Sequence, residues 1–297
     1  VGYNMYHGVH LQMPVETAYA QAPAGTDLSG GPIYVPATGQ VQHTTYESIG
    51  SSIYHGLTTS LTKRFSNGLQ FQANYTWSKT IDDVLDFSSF QNWFRPNRLD
   101  RFRGVSAFDI PHVFVANAVY NLPFKAGTGK PVSSIFSDIT ISPVFTAHSG
   151  LPFSVRTPSL STLPISLGGN GIAVDSNFAM PFLSSRDNNR GDAFYSLDGS
   201  FQKVVFLSHD RGVRLNFIVQ GTNLLNHRNF NKVNDVFDQL GFAPVTLANG
   251  RVLNLAAGPY TGLHGIVPTN ASQLSQPLFF SSADTPRQFQ FGLKLAF

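Results

Sequence analysis

The sequence predicts an all-β fold: an antiparallel transmembrane β-barrel segment of about eight strands, with short turns at one end and long loops at the other. Three observations predict it. The 297 residues are 42% hydrophobic and 13% aromatic but only 12% charged, about half the charge of an average soluble domain. Apolar and polar residues alternate strictly over many short segments, the period of a sheet with one dry and one wet face. Long and short connections between those segments also alternate.

The composition excludes several classes. With 26 Phe, the chain is too aromatic for disorder, which needs few aromatics and many charges. The net charge of +3 is scattered, and no run of Lys and Arg offers a footprint for nucleic acid. The absence of Cys excludes disulfides and thiolate metal sites. No window approaches the roughly 18 consecutive apolar residues of a membrane-spanning helix. No signal peptide opens the chain, and "VGYNMYHGVHLQM" starts in strand-like sequence, so a fragment of a longer protein is expected.

The strands follow in order. The opening segment is the first. "SSIYHGLTTSLTKRF" places Ile53, Leu57, Leu61 and Phe65 on one parity, with Ser52, Thr58, Ser60, Thr62 and Arg64 opposite. Asn67-Gly68 supplies the positive-φ residues of a tight hairpin. "LQFQANYTWSK" then sets Leu69, Phe71, Ala73, Tyr75 and Trp77 against Gln70, Gln72, Asn74, Thr76 and Ser78. Phe114, Ala116, Ala118, Tyr120 and Leu122 form the next apolar stripe, then Ile139, Ile141, Phe145 and Ala147. Tyr195, Leu197, Phe201 and Val205 oppose Ser196, Asp198, Ser200 and Gln202. Val213, Leu215, Phe217 and Val219 oppose Arg214, Asn216 and Gln220, with Ile218 interrupting the polar face. The final "PRQFQFGLKLAF" sets Phe289, Phe291, Leu293, Leu295 and Phe297 against Gln288, Gln290, Gly292, Lys294 and Ala296.

Residues 14–51, 82–110, 150–193 and 226–285 read as long loops, while 66–68, 125–136 and 208–212 read as short links. A compact soluble domain has little room for several loops above about 15 residues. An outer-membrane barrel expects long extracellular loops and short periplasmic turns. In lipid every backbone N–H and C=O must be paired, so β structure spans a membrane only as a closed barrel. The same aromatics could fill a sandwich core, but the two alternations together favour lipid.

On this reading the membrane girdle comprises Phe65, Phe206 and Phe297 at the periplasmic rim and Tyr75, Trp77 and Phe289 at the outer rim. Lys63, Lys79 and Lys203 fall on the lipid parity but near strand ends, where they can snorkel. The lumen-facing candidates are Gln70, Gln72, Asn74, Asn117, Asp198, Gln202, Arg214, Asn216, Gln220 and Lys294.

In the 82–110 loop, Asp82, Asp83 and Asp86 could bind Ca²⁺ or simply be solvated, and Arg95, Arg98, Arg101 and Arg103 could bind an anionic ligand or pair with those acids. All seven are candidates for capturing an external ligand. The nine His are poorly spaced for a metal site: His7 and His10 face opposite ways along a strand. Ser149 and His148 point to opposite faces, no G-x-S-x-G elbow occurs, and no helix follows the Gly-rich 167–171. The sequence therefore predicts no enzyme, no cofactor and no bound metal.

Five segments in order, "YHGLTTSLTKRFSNGLQFQANYTWSKTIDD", "RGVSAFDIPHVFVANAVYNLPF", "SGLPFSV", "GTNLLNHRNF" and "DTPRQFQFGLKLAF", resemble the C-terminal barrel portion of Oar-like TonB-dependent outer-membrane receptors, proteins that often carry a carboxypeptidase-regulatory-like domain at the N-terminus. The resemblance runs from about residue 46 to Phe297. It implies a roughly 22-stranded barrel with a plug in its lumen, residence in the bacterial outer membrane in contact with its lipid, and a TonB complex acting through an N-terminal part not in this chain. On that basis residues 1–297 form one partial barrel domain, lacking plug and regulatory domain. The expected function is transport or reception, with an unknown external ligand captured by the loops. The alternative is an outer-membrane adhesin or scaffold. An open curved sheet or a forced closure is expected for such a slice.

Overall fold

The computed structural model describes residues 1–16, 25–26, 32–33, 44–83, 103–124, 137–155, 186–208, 212–235, 245–246, 252–253 and 263–297. Eight long strands dominate: β1 (Gly2–Glu16), β2 (Thr44–Ser66), β3 (Leu69–Asp82), β4 (His112–Asn121), β5 (Ile139–His148), β6 (Phe194–Ser208), β7 (Val213–Thr222) and β8 (Gln288–Ala296). They form one antiparallel meander in which each strand pairs with the next in the chain. β1 and β8 do not pair with each other, so the sheet is open.

The register carries the apolar parity from strand to strand. Tyr3 lies opposite Leu57, Leu57 opposite Trp77, Tyr75 opposite Phe114 and Ala116 opposite Phe145. Phe145 meets Leu197, Phe201 meets Val219, Phe217 meets Leu293 and Val219 meets Phe291. Because side chains alternate with a period of two, these pairings gather the apolar stripes of all eight strands on one face.

Among the described residues, no protein layer covers that face. Leu61, Trp77 and Phe217 remain 60%, 57% and 44% exposed although their strands are paired on both sides. Exposed apolar surface this continuous marks contact with something apolar. The buried core lies elsewhere: Phe153, Val155, Leu263 and Leu278, packed with Val233 and Ile266, come from the connections rather than the strands.

Three lysines and two tyrosines on the apolar face are paired. Lys63 donates to the Ser66 and Leu69 carbonyls of the hairpin at 3.2 and 3.3 Å. Lys79 reaches Asp109 at 3.1 Å, and Lys203 donates to the Ser137 carbonyl. Tyr3 is hydrogen-bonded to His55 and Tyr75 to His112, at 2.6 and 2.8 Å.

Two boundaries differ from the expected ones. The 14–51 loop is shorter, because β1 runs to Glu16 and β2 begins at Thr44. Register shifts around Leu11, with His10 at φ 56°, break the alternation there and hide the strand from a pattern of period two. Within 226–285, Phe230–Val233 pairs with Phe280–Ala283 as a short ribbon.

The tight turn is as expected: Asn67 and Gly68 have φ of 50° and 76°. It lies at the same end of the sheet as Gly212 and the β4–β5 link, called here the short-connection end.

Candidate functional site

The connections at the opposite, long-connection end fold over the strand ends into a cap. Three carboxylates anchor it. Asp109, with its side chain fully buried, accepts from the Thr80 backbone N–H at 2.6 Å, from Lys79 and from Arg190. Arg190 also donates to the carbonyls of Asp109 and Gly150, at 2.6 and 3.2 Å. Asp82 pairs with Arg186, both buried. Asp83 accepts from the Ser51 hydroxyl at 2.9 Å and lies 3.7 Å from Arg103.

Arg186 and Asp187 sit where burial opposes charge. Burial lowers the Arg186 guanidinium from its usual range, against the pull of Asp187. Burial raises the Asp187 carboxyl, partly offset by the Ser154 hydroxyl, which donates at 2.8 Å, and by Arg186. Asp187 has φ 51°, a left-handed conformation that Asp tolerates better than most residues.

A second set of polar anchors is built from asparagines. Asn223, at φ 49°, accepts from the His227 N–H at 3.0 Å and donates to the His227 carbonyl at 2.9 Å. Asn229 accepts from the Tyr195 N–H and donates to its carbonyl, both at 2.8 Å, extending the β6 ladder with a side-chain amide.

Between these anchors lies a cleft of about 270 Å³. Two stacked ring pairs wall it: His148 with Phe194, centroids 4.8 Å apart, and Phe230 with Phe280, 4.7 Å apart. Asp192 and Asp284 stand at it, both exposed. His148 and Phe194 belong to the polar face of the sheet, being in register opposite each other on the parity of Ser196 and Asp198. The cleft therefore adjoins the long-connection end of that face.

The ten polar-face candidates share one side of the sheet. Gln72 lies opposite Asn117, Asn216 opposite Lys294, and Gln220 opposite Gln290. Gln70, Asn74, Gln202 and Arg214 fall on the same parity. The face is more mixed than expected, because Val115, Val119, Val144 and Val204 share it. Asp198 is on this face too, but its carboxylate accepts from Ser196 and the Asn223 N–H at 2.7 and 2.8 Å. It holds the turn after β7, so it is a brace for the cap rather than a free group for a solute.

Of the girdle residues, Tyr75, Trp77 and Phe289 lie on the apolar face, and Arg287 stands 5.8 Å from the Phe289 ring centroid. Phe297 follows β8 and is 96% exposed. Phe65 falls in the register shift before the hairpin. Phe206 departs from expectation: it pairs with Arg214 and so lies on the polar face. The register shift of β6 comes only after Phe206, so the alternation that puts Val205 toward the apolar side puts Phe206 opposite.

Of the loop candidates, Asp82 cannot take an external ligand as expected, because it is buried against Arg186. Asp83 and Arg103 pair with one another, the alternative the sequence left open. Asp86, Arg95, Arg98 and Arg101 lie outside the described residues. Sequence reasoning missed Asp109, Arg186 and Arg190. The signal for the two arginines was present in "SRDNNRGDA", a concentration of charge within a long connection of a chain poor in charge, whereas Asp109 stands alone in "SAFDIPH".

The family comparison agrees with this two-faced sheet. A family described as outer membrane beta barrel domain matches residues 1–254. Among solved structures, the outer membrane transporter YddB from Escherichia coli is similar, with 8% identity and a TM-score of 0.40 over 84% of this chain. The chain spans 27% of that structure's length. No curated protein matches the sequence. With the family's profile covering most of its length and lipid-facing strands to fit, the chain belongs to the outer membrane beta barrel domain family and resides in the bacterial outer membrane.

Proposed function

We propose that the chain is the C-terminal barrel segment of an Oar-like TonB-dependent transport protein. The observation that carries this reading is the two-faced sheet with both edges unpaired among the described residues. An edge strand in hydrocarbon leaves a row of N–H and C=O groups without partners, so β1 and β8 each require a further strand. A wall extended to roughly 22 strands encloses a lumen wide enough for a plug. The polar face, with Gln72, Asn117, Gln220 and Gln290, then meets the plug or a passing solute through exchangeable amide hydrogen bonds. External ligand is captured at the capped end and passes inward when TonB moves the plug. The protein acts by binding and passage, without catalysis.

The test places a photo-crosslinking residue at Gln72 or Gln220 of the full-length protein in cells. An intramolecular cross-link to a plug, changed by loss of TonB, is the expected result. Absence of any plug cross-link, with TonB dispensable, would favour the second reading. In that reading the capped end, which has its own apolar core, is an adhesive or scaffolding surface on a simple barrel.

A further inference from the structure

The cleft at the capped end has a chemistry more specific than its position. We propose that it binds a small monocyclic amine, a protonated amino group carried on a flat apolar ring. The inference deepens the capture reading above and rests on it only for what happens after binding.

The size selects one ring. At about 270 Å³ the cleft falls just below the range of roughly 300–1,000 Å³ that holds drug-sized ligands. The walls select an aromatic or other flat body, because four rings in two stacked pairs, Phe230 with Phe280 and His148 with Phe194, line the cleft.

The polar groups select a donor. Among the described residues, Asp192 and Asp284 are the formal charges of its lining, which includes no Lys or Arg. Asp284 accepts one hydrogen bond, from Asn231 at 2.7 Å, and Asp192 accepts one from the Ala193 N–H at 3.0 Å. Each carboxylate keeps acceptor capacity for a ligand. His148 Nδ1 lies 2.9 Å from the Ser149 carbonyl, which can only accept, so Nδ1 carries the proton. In the neutral ring Nε2 is then an acceptor. The Asn231 amide is engaged at both ends, donating to Asp284 and accepting from Ser282 at 2.6 Å. A cation with N–H donors satisfies this acceptor-rich rim beside aromatic walls. An anion meets two like charges.

The probe is phenethylamine, with 2-phenylethanol and 3-phenylpropionate as neutral and anionic counterparts. Binding to the full-length protein in detergent is measured by calorimetry or saturation-transfer NMR. The amine is expected to bind at least about tenfold tighter than the carboxylate. Asp192→Asn with Asp284→Asn should weaken the amine roughly fivefold, at the scale of two exposed ion pairs, and leave the alcohol unchanged. Phe230→Ala should weaken all three probes. Carboxylate binding as tight as the amine, unchanged amine binding in either variant, or no saturable amine binding would each overturn the proposal. Amine binding without any TonB-dependent uptake would remove the transport reading and leave this one standing.

Discussion

Arg186 and Asp82 lie 104 positions apart in the chain and meet in a buried ion pair, in which the guanidinium also donates to the Asp82 carbonyl at 2.5 Å. This pair ties the connection before β6 to the end of β3, and so fixes the cap to the sheet. It is costly, because the Arg186 Nε and Nη1 are buried without a hydrogen-bond partner among the described residues.

Removing one member should therefore hurt more than removing both. Arg186→Met leaves a buried carboxylate uncompensated, at a cost of about 3–5 kcal/mol to docking of the cap. Arg186→Met combined with Asp82→Leu should recover most of that loss. Hydrogen exchange of the 186–191 amides in detergent-solubilised protein measures both. A double variant as unprotected as the single one would contradict the argument.

Acid should strengthen the neighbouring link. Burial raises the Asp187 carboxyl, while Ser154, Arg186 and Arg190 pull it down and Asp235 pushes it up. A raised folded-state value means the folded form holds its proton longer than the unfolded one. The stabilising contribution is thus fully present below the unfolded value of about 3.9 and is lost as pH rises through the folded value. Asp187→Asn keeps the Ser154 hydrogen bond and tolerates φ 51° without a charge to desolvate. Its 186–191 amides should be better protected than wild type at neutral pH and equally protected below about pH 4. Exchange rates followed against pH decide it.

The strands were readable because lipid and lumen impose a period of two that tertiary contacts do not disturb. Ala73, Ala116 and Phe145 fall on one face by parity alone, and the register places them side by side. Where a bulge intervenes the reading fails: Leu11 shifts β1, and the start of β2, with Glu47 and Ser48, looked like loop. Phe206 was misplaced because an aromatic near a strand end was read as girdle, although its even number already assigned it to the other face. The cap was unreadable for a different reason. Asp82 and Asp109 find their partners in Arg186 and Arg190, far along the chain. The cleft joins segments around His148, Phe194, Phe230 and Phe280. No local pattern encodes such encounters.

The two faces of β4 should answer a charge differently. Ala116 lies mid-strand on the apolar face between Ala73 and Phe145, while Asn117 lies on the polar face opposite Gln72. Ala116→Lys places an ammonium in hydrocarbon and should cost about 2–4 kcal/mol. Asn117→Lys should be close to neutral. Denaturant titration of folding into lipid vesicles compares them. Equal costs at the two positions would mean that the apolar face does not meet lipid.

The β2–β3 hairpin depends on Gly68. Its φ of 76° lies in the left-handed region, and a Cβ there would sit 2.5 Å from the Asn121 carbonyl oxygen. The Gly68 carbonyl also accepts from the Asn121 N–H at 2.7 Å, joining the turn to the end of β4. An added methyl group would have to push β4 away and break that bond. Gly68→Ala should therefore cost more than the roughly 1 kcal/mol of a left-handed alanine alone, because strain and the lost hydrogen bond add. Asn67→Gly, at φ 50°, carries neither penalty and should be nearly neutral. The yield of folded, heat-modifiable protein on refolding into detergent separates the two: it should fall sharply for Gly68→Ala and stay near wild type for Asn67→Gly.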